Sequence, residues 1–210
     1  DVVNFSASGS SVEKGESLKD TVLTLSAHKP DAVVVRTPWS GSGELVARWS
    51  GASVVNAGDG KHEHPTQALL DVYTLRERLG SLDGAKIWIV GDVLHSRVAR
   101  SNIWGLLKVG AEVGVCAPAT LLPPEVRELG VTVFRRIEEA IEWADALNIL
   151  RLQLERMQGG FVPSLREYNR VFGVTRARLE RAPRDLLILH PGPMNRGVEI
   201  DSDVADGPHS

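Results

Sequence analysis

The segment from Gly58 to Asp71, GDGKHEHPTQALLD, sets Asp59, His62 and His64 in a polar loop that runs straight into Pro65. Proline suits the first helical position, where its missing N–H costs nothing and its φ is already helical. The remaining amides of that first turn, with the positive end of the helix dipole, then face whatever lies beside His64 and Gln67. The natural occupant is an anionic or carbonyl-bearing ligand; the plainer alternative is that His64 only caps the helix. His62 and His64 also make an H-x-H pair, but no clear further ligands accompany them, so a metal site is the weaker reading.

A second segment, GDVLHSRVARSN, puts Arg97 and Arg100 directly after an apolar run and in the first turn of the next helix. A guanidinium there can take a carboxylate or phosphate in bidentate fashion. A third, NILRLQ, puts Arg151 and Gln153 just past another apolar run. Two such arginines suit a dicarboxylate, whereas either alone reads equally as surface charge, Arg100 most of all. In HPGPMNRGVEI, two prolines and two glycines make a tight turn that exposes a backbone carbonyl near Gly192 to an amine, or serves only as a turn. Lys14, in the loop SGSSVEKGES, and Arg36, at the end of AVVVR, are either ligand-directed or solvated cations.

These residues need a scaffold, and the hydropathy pattern supplies one. Short β-branched apolar runs alternate with amphipathic stretches of helical length, the pattern of a parallel sheet covered by helices. Strands are predicted at 32–36, 53–56, 85–91, 112–116, 131–134, 146–150 and 186–190. Helices are predicted at 15–28, 44–49, from Pro65 to near Gly80, and at 96–108. The turn cluster Ser81-Leu82-Asp83-Gly84 marks a lobe boundary, giving lobes 1–79 and 80–210. The fold class is therefore α/β, with two lobes, each a mainly parallel sheet flanked by helices, the second Rossmann-like. No G-x-G-x-x-G is present, so that lobe carries no dinucleotide fingerprint. The segment Gln158 to Val174 has no clear period and reads as a mobile loop.

Composition narrows the partners. The 210 residues are 42% hydrophobic and 24% charged, ordinary globular values, with a net charge of -3. Basic residues are scattered, so neither nucleic acid nor an anionic membrane is an expected partner. No long apolar run or secretory leader is evident. The single cysteine, Cys116, excludes an intrachain disulfide and fits a reducing, cytoplasmic setting.

Taken in order, KGES, VVVRTP, HEHPTQALLD, GDVLHSRVARSN with RLQLER, and HPGPMNRGVEI resemble the aspartate carbamoyltransferase family of catalytic chains. HPTQ alone points to carbamoyltransferases generally. The combination with HSRVARSN and HPGPMNRGVEI favours the aspartate-specific members over ornithine-specific ones, whose late motif is similar to HCLPA. The resemblance implies transfer of the carbamoyl group of carbamoyl phosphate to L-aspartate in pyrimidine biosynthesis, with no cofactor and no catalytic metal. It implies that His64 hydrogen-bonds the carbamoyl oxygen, Gln67 the carbamoyl amide, and that Arg36 meets phosphate and carbonyl. Lys14, with Ser10 beside it, would reach the neighbouring subunit's site in a homotrimer. Arg97 and Arg151 would hold the aspartate carboxylates, assisted by Gln153, and the Gly192 carbonyl, with Pro193 beside it, would orient the amine. Regulatory or pathway-enzyme chains are further partners of such trimers.

The sequence departs from the family pattern in several places. The phosphate-cradling Ser-Thr-Arg-Thr segment is not found and is expected upstream of Asp1, and a returning helix is expected after Ser210. These 210 residues are then about two thirds of a roughly 300-residue chain, with most of the aspartate site and only part of the phosphate site. On that expectation this stretch alone turns over more slowly than a full-length relative. Thr37 stands where a histidine is usual, Glu13 where some members are basic, and Leu94 where a polar residue is common. The rival readings are a carbamoyltransferase for another amino acid such as ornithine and a non-catalytic homologous binding subunit.

Overall fold

The computed structural model describes residues 2–5, 15–153, 160–183 and 185–210. The chain divides into two compact units, Asp1–Thr66 and Gln67–Ser210.

In the first unit, helix α1 (Leu18–Ser26) precedes strand β1 (Ala32–Thr37), and helix α2 (Ser42–Ser50) precedes strand β2 (Ser53–Asp59). Ser17 caps α1 by accepting from the Asp20 amide, as expected of a serine at that position. The strands pair in parallel with Ala32 opposite Ser53, as a β-α-β crossover requires. The ladder slips between Val35 and Thr37, where two steps of β1 match three of β2, from Asn56 to Asp59. This bulge carries β2 three residues beyond its predicted end and turns its carboxyl end beside Arg36.

The second unit is built on a five-stranded parallel sheet in the order β5-β4-β3-β6-β7. Its strands are β3 (Lys86–Val90), β4 (Glu112–Cys116), β5 (Thr132–Phe134), β6 (Ala146–Ile149) and β7 (Leu187–Leu189). The central strands β3 and β6 are buried without alternation because helices cover both faces; Ile87, Ile89, Leu147 and Ile149 are all at most 1% exposed, and Asn148 is the one buried polar residue of β6. Each such side chain contributes about 1.5–3 kcal/mol by its burial. Gly114 of β4 lies opposite Trp88 of β3, and a Cβ there would stand 2.3 Å from the indole ring, so only glycine admits the tryptophan.

Helix α3 (Pro65–Leu79) packs Leu75 into this core, and helix α4 (Arg97–Lys108) adds Ile103 and Leu106. The turn after Gly80 remains a break in secondary structure, yet the apolar face of α3 adheres to the second unit. Helices α5 (Ile137–Trp143), α6 (Leu165–Phe172), α7 (Arg176–Leu179) and α8 (Ser202–Ala205) complete it. The predicted loop at Gln158–Val174 is corrected here: among its described residues, 165–172 form α6. Ser164 caps this helix by accepting from the Glu167 amide, and Tyr168 and Phe172, four residues apart, pack their rings 5.8 Å apart in the core. Leu165, Tyr168 and Phe172 stand at helical spacing, but Phe161, Val162, Val171 and Val174 around them blur the period over the stretch as a whole. Arg178 then donates to the carbonyls of Arg170 and Gly173 and to Glu138, satisfying the otherwise orphaned end of α6.

Candidate active site

In the first unit the strand ends gather Arg36 and the Asp59–His64 loop. The Asp59 side chain is buried and accepts hydrogen bonds from the amides of Gly41 (2.7 Å) and Glu63 (2.8 Å) and from His62 Nδ1 (3.1 Å). Burial by itself would raise its carboxyl, but these donors, His62 foremost, outweigh it and hold the group below the usual carboxylate range. Asp59 thereby ties the loop to the start of α2, and His62 serves that tie. His64 is half-buried immediately before α3, with Nδ1 and the Thr66 hydroxyl 3.2 Å apart. Arg36 is exposed at the end of β1. Ser10 and Lys14 lie outside the described residues.

In the second unit the remaining predicted residues come to one edge. Parallel strands end together, so the loops after β3, β6 and β7, which are neighbours, share the carboxyl edge where open α/β sheets bind ligands. After β3, Gly91 at φ 119° passes close under Leu150; a Cβ would stand 3.0 Å from the Leu150 carbonyl oxygen. Asp92 is fully buried and takes the His95 amide (3.1 Å) and imidazole Nδ1 (2.9 Å), while the imidazole edge meets the Phe161 ring at 4.8 Å. Ser96 caps α4 by accepting from the Ala99 amide, and Arg97, its first residue, is 8% exposed. A cation in the first turn of a helix opposes the dipole. The arrangement makes sense for an anion, which both the guanidinium and the first-turn amides attract. Arg100 is exposed, in keeping with a solvated charge.

Arg151 and Gln153, both half-buried, follow β6, with Gln153 Nε2 donating to the Arg151 carbonyl at 3.4 Å. After β7 the turn is buttressed from within by residues that composition alone did not single out. Gly192 donates its amide to His190 Nδ1 (3.0 Å), so Nδ1 is the unprotonated nitrogen and Nε2–H faces Glu199 (3.2 Å). Glu199, 1% exposed, also accepts from the Asn195 amide at 2.6 Å. Gly192 takes φ 63°, natural for glycine, and Pro193 follows it, so the exposed carbonyl between them rests on a braced loop. The i,i+2 spacing of His190 and Gly192 and the return at Glu199 were the available signals.

Gln67, in the first turn of α3, donates Nε2 to Asp71 at 2.9 Å; Asp71 in turn accepts from Asn102 of α4 (2.7 Å) and Asn148 of β6 (2.8 Å). Asp71 is 5% exposed. Its four-residue spacing from Gln67 was readable as a helical Gln–Asp pair, but the two asparagines come from elements 31 and 77 residues away. Cys116 is buried, and burial, reinforced by Glu138 and Glu139, pushes its thiol up to about 12. It is no nucleophile. Among the described residues, no three His, Cys, Asp or Glu side chains are grouped to hold a metal ion.

In the second unit, Arg97, Arg151 and the carbonyl-presenting turn at Gly192 share one sheet edge and make a candidate site for small anionic substrates; the first unit by itself carries Arg36 and the loop-to-helix His64. The chain matches the carbamoyl-P binding domain of the aspartate/ornithine carbamoyltransferases over residues 1–77 and their Asp/Orn binding domain over residues 83–210. It belongs to the aspartate/ornithine carbamoyltransferase family. Within that family it is 71% identical over 210 residues to a protein of Gemmatimonas aurantiaca and 60% identical to one of Desulforamulus reducens, each named aspartate carbamoyltransferase catalytic subunit. The matches cover all of this chain and 66% and 67% of those relatives, so the chain spans about two thirds of their length. Among solved structures, aspartate transcarbamoylase from Trypanosoma cruzi in complex with carbamoyl phosphate superposes with a TM-score of 0.86 at 32% identity, covering 99% of this chain and 68% of that one. The catalytic subunit of the M. jannaschii enzyme gives 0.77 at 34% identity, covering 97% and 67%.

Proposed function

We propose that the protein transfers the carbamoyl group of carbamoyl phosphate to the amine of L-aspartate, releasing N-carbamoyl-L-aspartate and phosphate. The observation that carries this reading is that Arg97, at the start of α4 after the β3 loop, and Arg151, just past β6, lie on the loops of adjacent strands, on the same sheet edge as the braced Gly192 turn. Two guanidinium groups on neighbouring loops suit the two carboxylates of a four-carbon diacid, each able to take one in bidentate fashion. A backbone carbonyl beside them is the acceptor an amine needs. On this reading residues 1–79 contribute part of the carbamoyl phosphate lobe and residues 80–210 the aspartate lobe.

The chemistry asks for positioning and charge stabilisation. The amine nitrogen attacks the carbamoyl carbon, the new N–C bond forms, the C–O bond to phosphate breaks, and the amine proton leaves with the phosphate. Negative charge builds first on the carbamoyl oxygen and then on the departing phosphate, so preorganised donors lower the barrier. His64 and Arg36 act on the oxygen, Gln67 on the carbamoyl amide, and Arg36 with Lys14 on the phosphate, with Ser10 beside Lys14. Gln153 assists Arg97 and Arg151. Removing one such donor costs about 3 kcal/mol in the barrier. Lys14 acts on the neighbouring subunit's site in a homotrimer, and the buried lone thiol of Cys116 supports a cytoplasmic setting.

The test is turnover by the full-length protein with aspartate and with ornithine as acceptors. Aspartate is the faster acceptor, and Arg97→Ala or Arg151→Ala raises its KM by about a hundredfold, as loss of a charge-assisted pair predicts. Faster turnover of ornithine, or no carbamoyl transfer at all, overturns the assignment.

A further inference from the structure

The carboxylate of Asp71 is buried at the inner end of the Gln67 side chain, and each of its three hydrogen-bond donors is a neutral side-chain amide, from Gln67, Asn102 and Asn148. Burial raises the Asp71 carboxyl above the usual carboxylate range while the amides of Asn102, Gln67 and Asn148 act the other way; all three contacts are made by NH2 groups, and a carboxylate so contacted only accepts. Every amide that faces it must therefore present NH2, whatever the amide would choose alone. For Asn102 and Asn148 the consequence is visible, because the Oδ1 atom of each is buried without a hydrogen-bond partner. The fold tolerates two orphaned acceptors to keep three donors on one carboxylate. Gln67 differs in being only half-buried at the first turn of α3. With Nε2 committed to Asp71, its planar amide turns Oε1 away from the carboxylate, as an acceptor and never as a donor.

We infer that Asp71 is a positioning residue that locks Gln67 as a hydrogen-bond acceptor, and that the locked acceptor selects substrates whose transferred acyl group carries NH2 rather than methyl. This rests on the carbamoyl-transfer reading. A carbamoyl group offers N–H donors to Oε1, whereas an acetyl group offers none and leaves the acceptor unsatisfied, the arrangement that lets polar sites reject analogues lacking a donor. Asn102 and Asn148 fix the carboxylate to α4 and β6, so the amide orientation is set by the packed interior and not by the ligand.

The experiment compares kcat/KM for carbamoyl phosphate and acetyl phosphate in the full-length protein. Asp71→Asn supplies a side chain that can both donate and accept, so the Gln67 amide is free to invert. The carbamoyl-to-acetyl ratio then falls by about tenfold or more, mainly through KM for carbamoyl phosphate. In a Gln67→Ala background the same substitution leaves the ratio unchanged, and Asn148→Ala, which leaves the Gln67–Asp71 bond in place, lowers Tm without moving the ratio. A wild-type check needs no variant: exchange of the Gln67 Nε2 protons, followed by 15N NMR, is slowed relative to free glutamine. An Asp71→Asn protein with lowered Tm and an unchanged ratio, an effect that persists without Gln67, or Nε2 exchange at the free rate overturns the inference alone. Absence of carbamoyl transfer by the wild type overturns it together with the reading beneath it.

Discussion

Gly91→Ala tests whether the β3 and β6 ends are held at the separation that places Arg151. At φ 119° an alanine is strained by about 1–3 kcal/mol. Its methyl would also meet the Leu150 carbonyl oxygen at 3.0 Å and the Tyr168 hydroxyl at 3.2 Å, where ordinary contact starts at 3.4 Å. Overpacking of that kind adds about 1–3 kcal/mol, for a total near 4 kcal/mol, or about 10 °C in Tm for a domain of this size. The least costly relief is for the strand ends to part by about 0.4 Å, against the 2.7 Å bond from the Leu150 amide to the Val90 carbonyl. Arg151 follows Leu150 directly, so its guanidinium moves with that end. If a 1 Å misplacement costs about a hundredfold in rate, 0.4 Å costs roughly five- to tenfold. Thermal unfolding and steady-state kinetics with varied aspartate measure both effects in the full-length protein. A Tm within 1 °C of wild type together with kcat/KM for aspartate within twofold would refute the reasoning.

Two further outcomes are expected. Asp59 has its carboxyl held below the unfolded value of 3.8, so its ionised form favours folding; that contribution is complete above the unfolded value and fades as pH falls through the depressed folded one. Asp59→Asn therefore lowers stability by about 1–3 kcal/mol at pH 7, and the gap to wild type, followed by denaturant titration, narrows below pH 4; a gap that widens there contradicts the sign. On the proposed shared-site trimer, mixing full-length Lys14→Ala chains with His64→Ala chains restores part of the activity, because some sites would keep both residues; no recovery in demonstrated mixed trimers counts against sharing between subunits.

Much of the scaffold was legible because its signals are local. Strands such as β3 and β4 are short, β-branched apolar runs, α4 carries its own serine cap, and α3 opens on a proline, so each element declares itself within a few residues. Helix α6 was missed because its apolar stripe of Leu165, Tyr168 and Phe172 spans only eight residues and is flanked by a glycine- and proline-bearing stretch that reads as loop. The candidate site was legible to the extent that its residues follow strands in the sequence: Arg97, opening the helix after β3, Arg151 and Gly192 could be named one by one. Their gathering could not, since the strand order β3-β6-β7 puts side by side segments that lie far apart in sequence.

Residue order alone determined the alternation of strands and helices, the chemistry available at each strand end and the family resemblance, since periodicity, capping and motif spacing act over short stretches of chain. Only the tertiary structure decided which loops meet and how buried charge is compensated. The glutamine–aspartate pair on α3 looks like a surface helix pair until Asn102 and Asn148 close over it, and Glu199 is one more acidic residue until His190 and Asn195 converge on its carboxylate. Burial makes those contacts obligatory, because a carboxylate removed from water must find its donors in the protein, and which distant segments supply them is a property of packing.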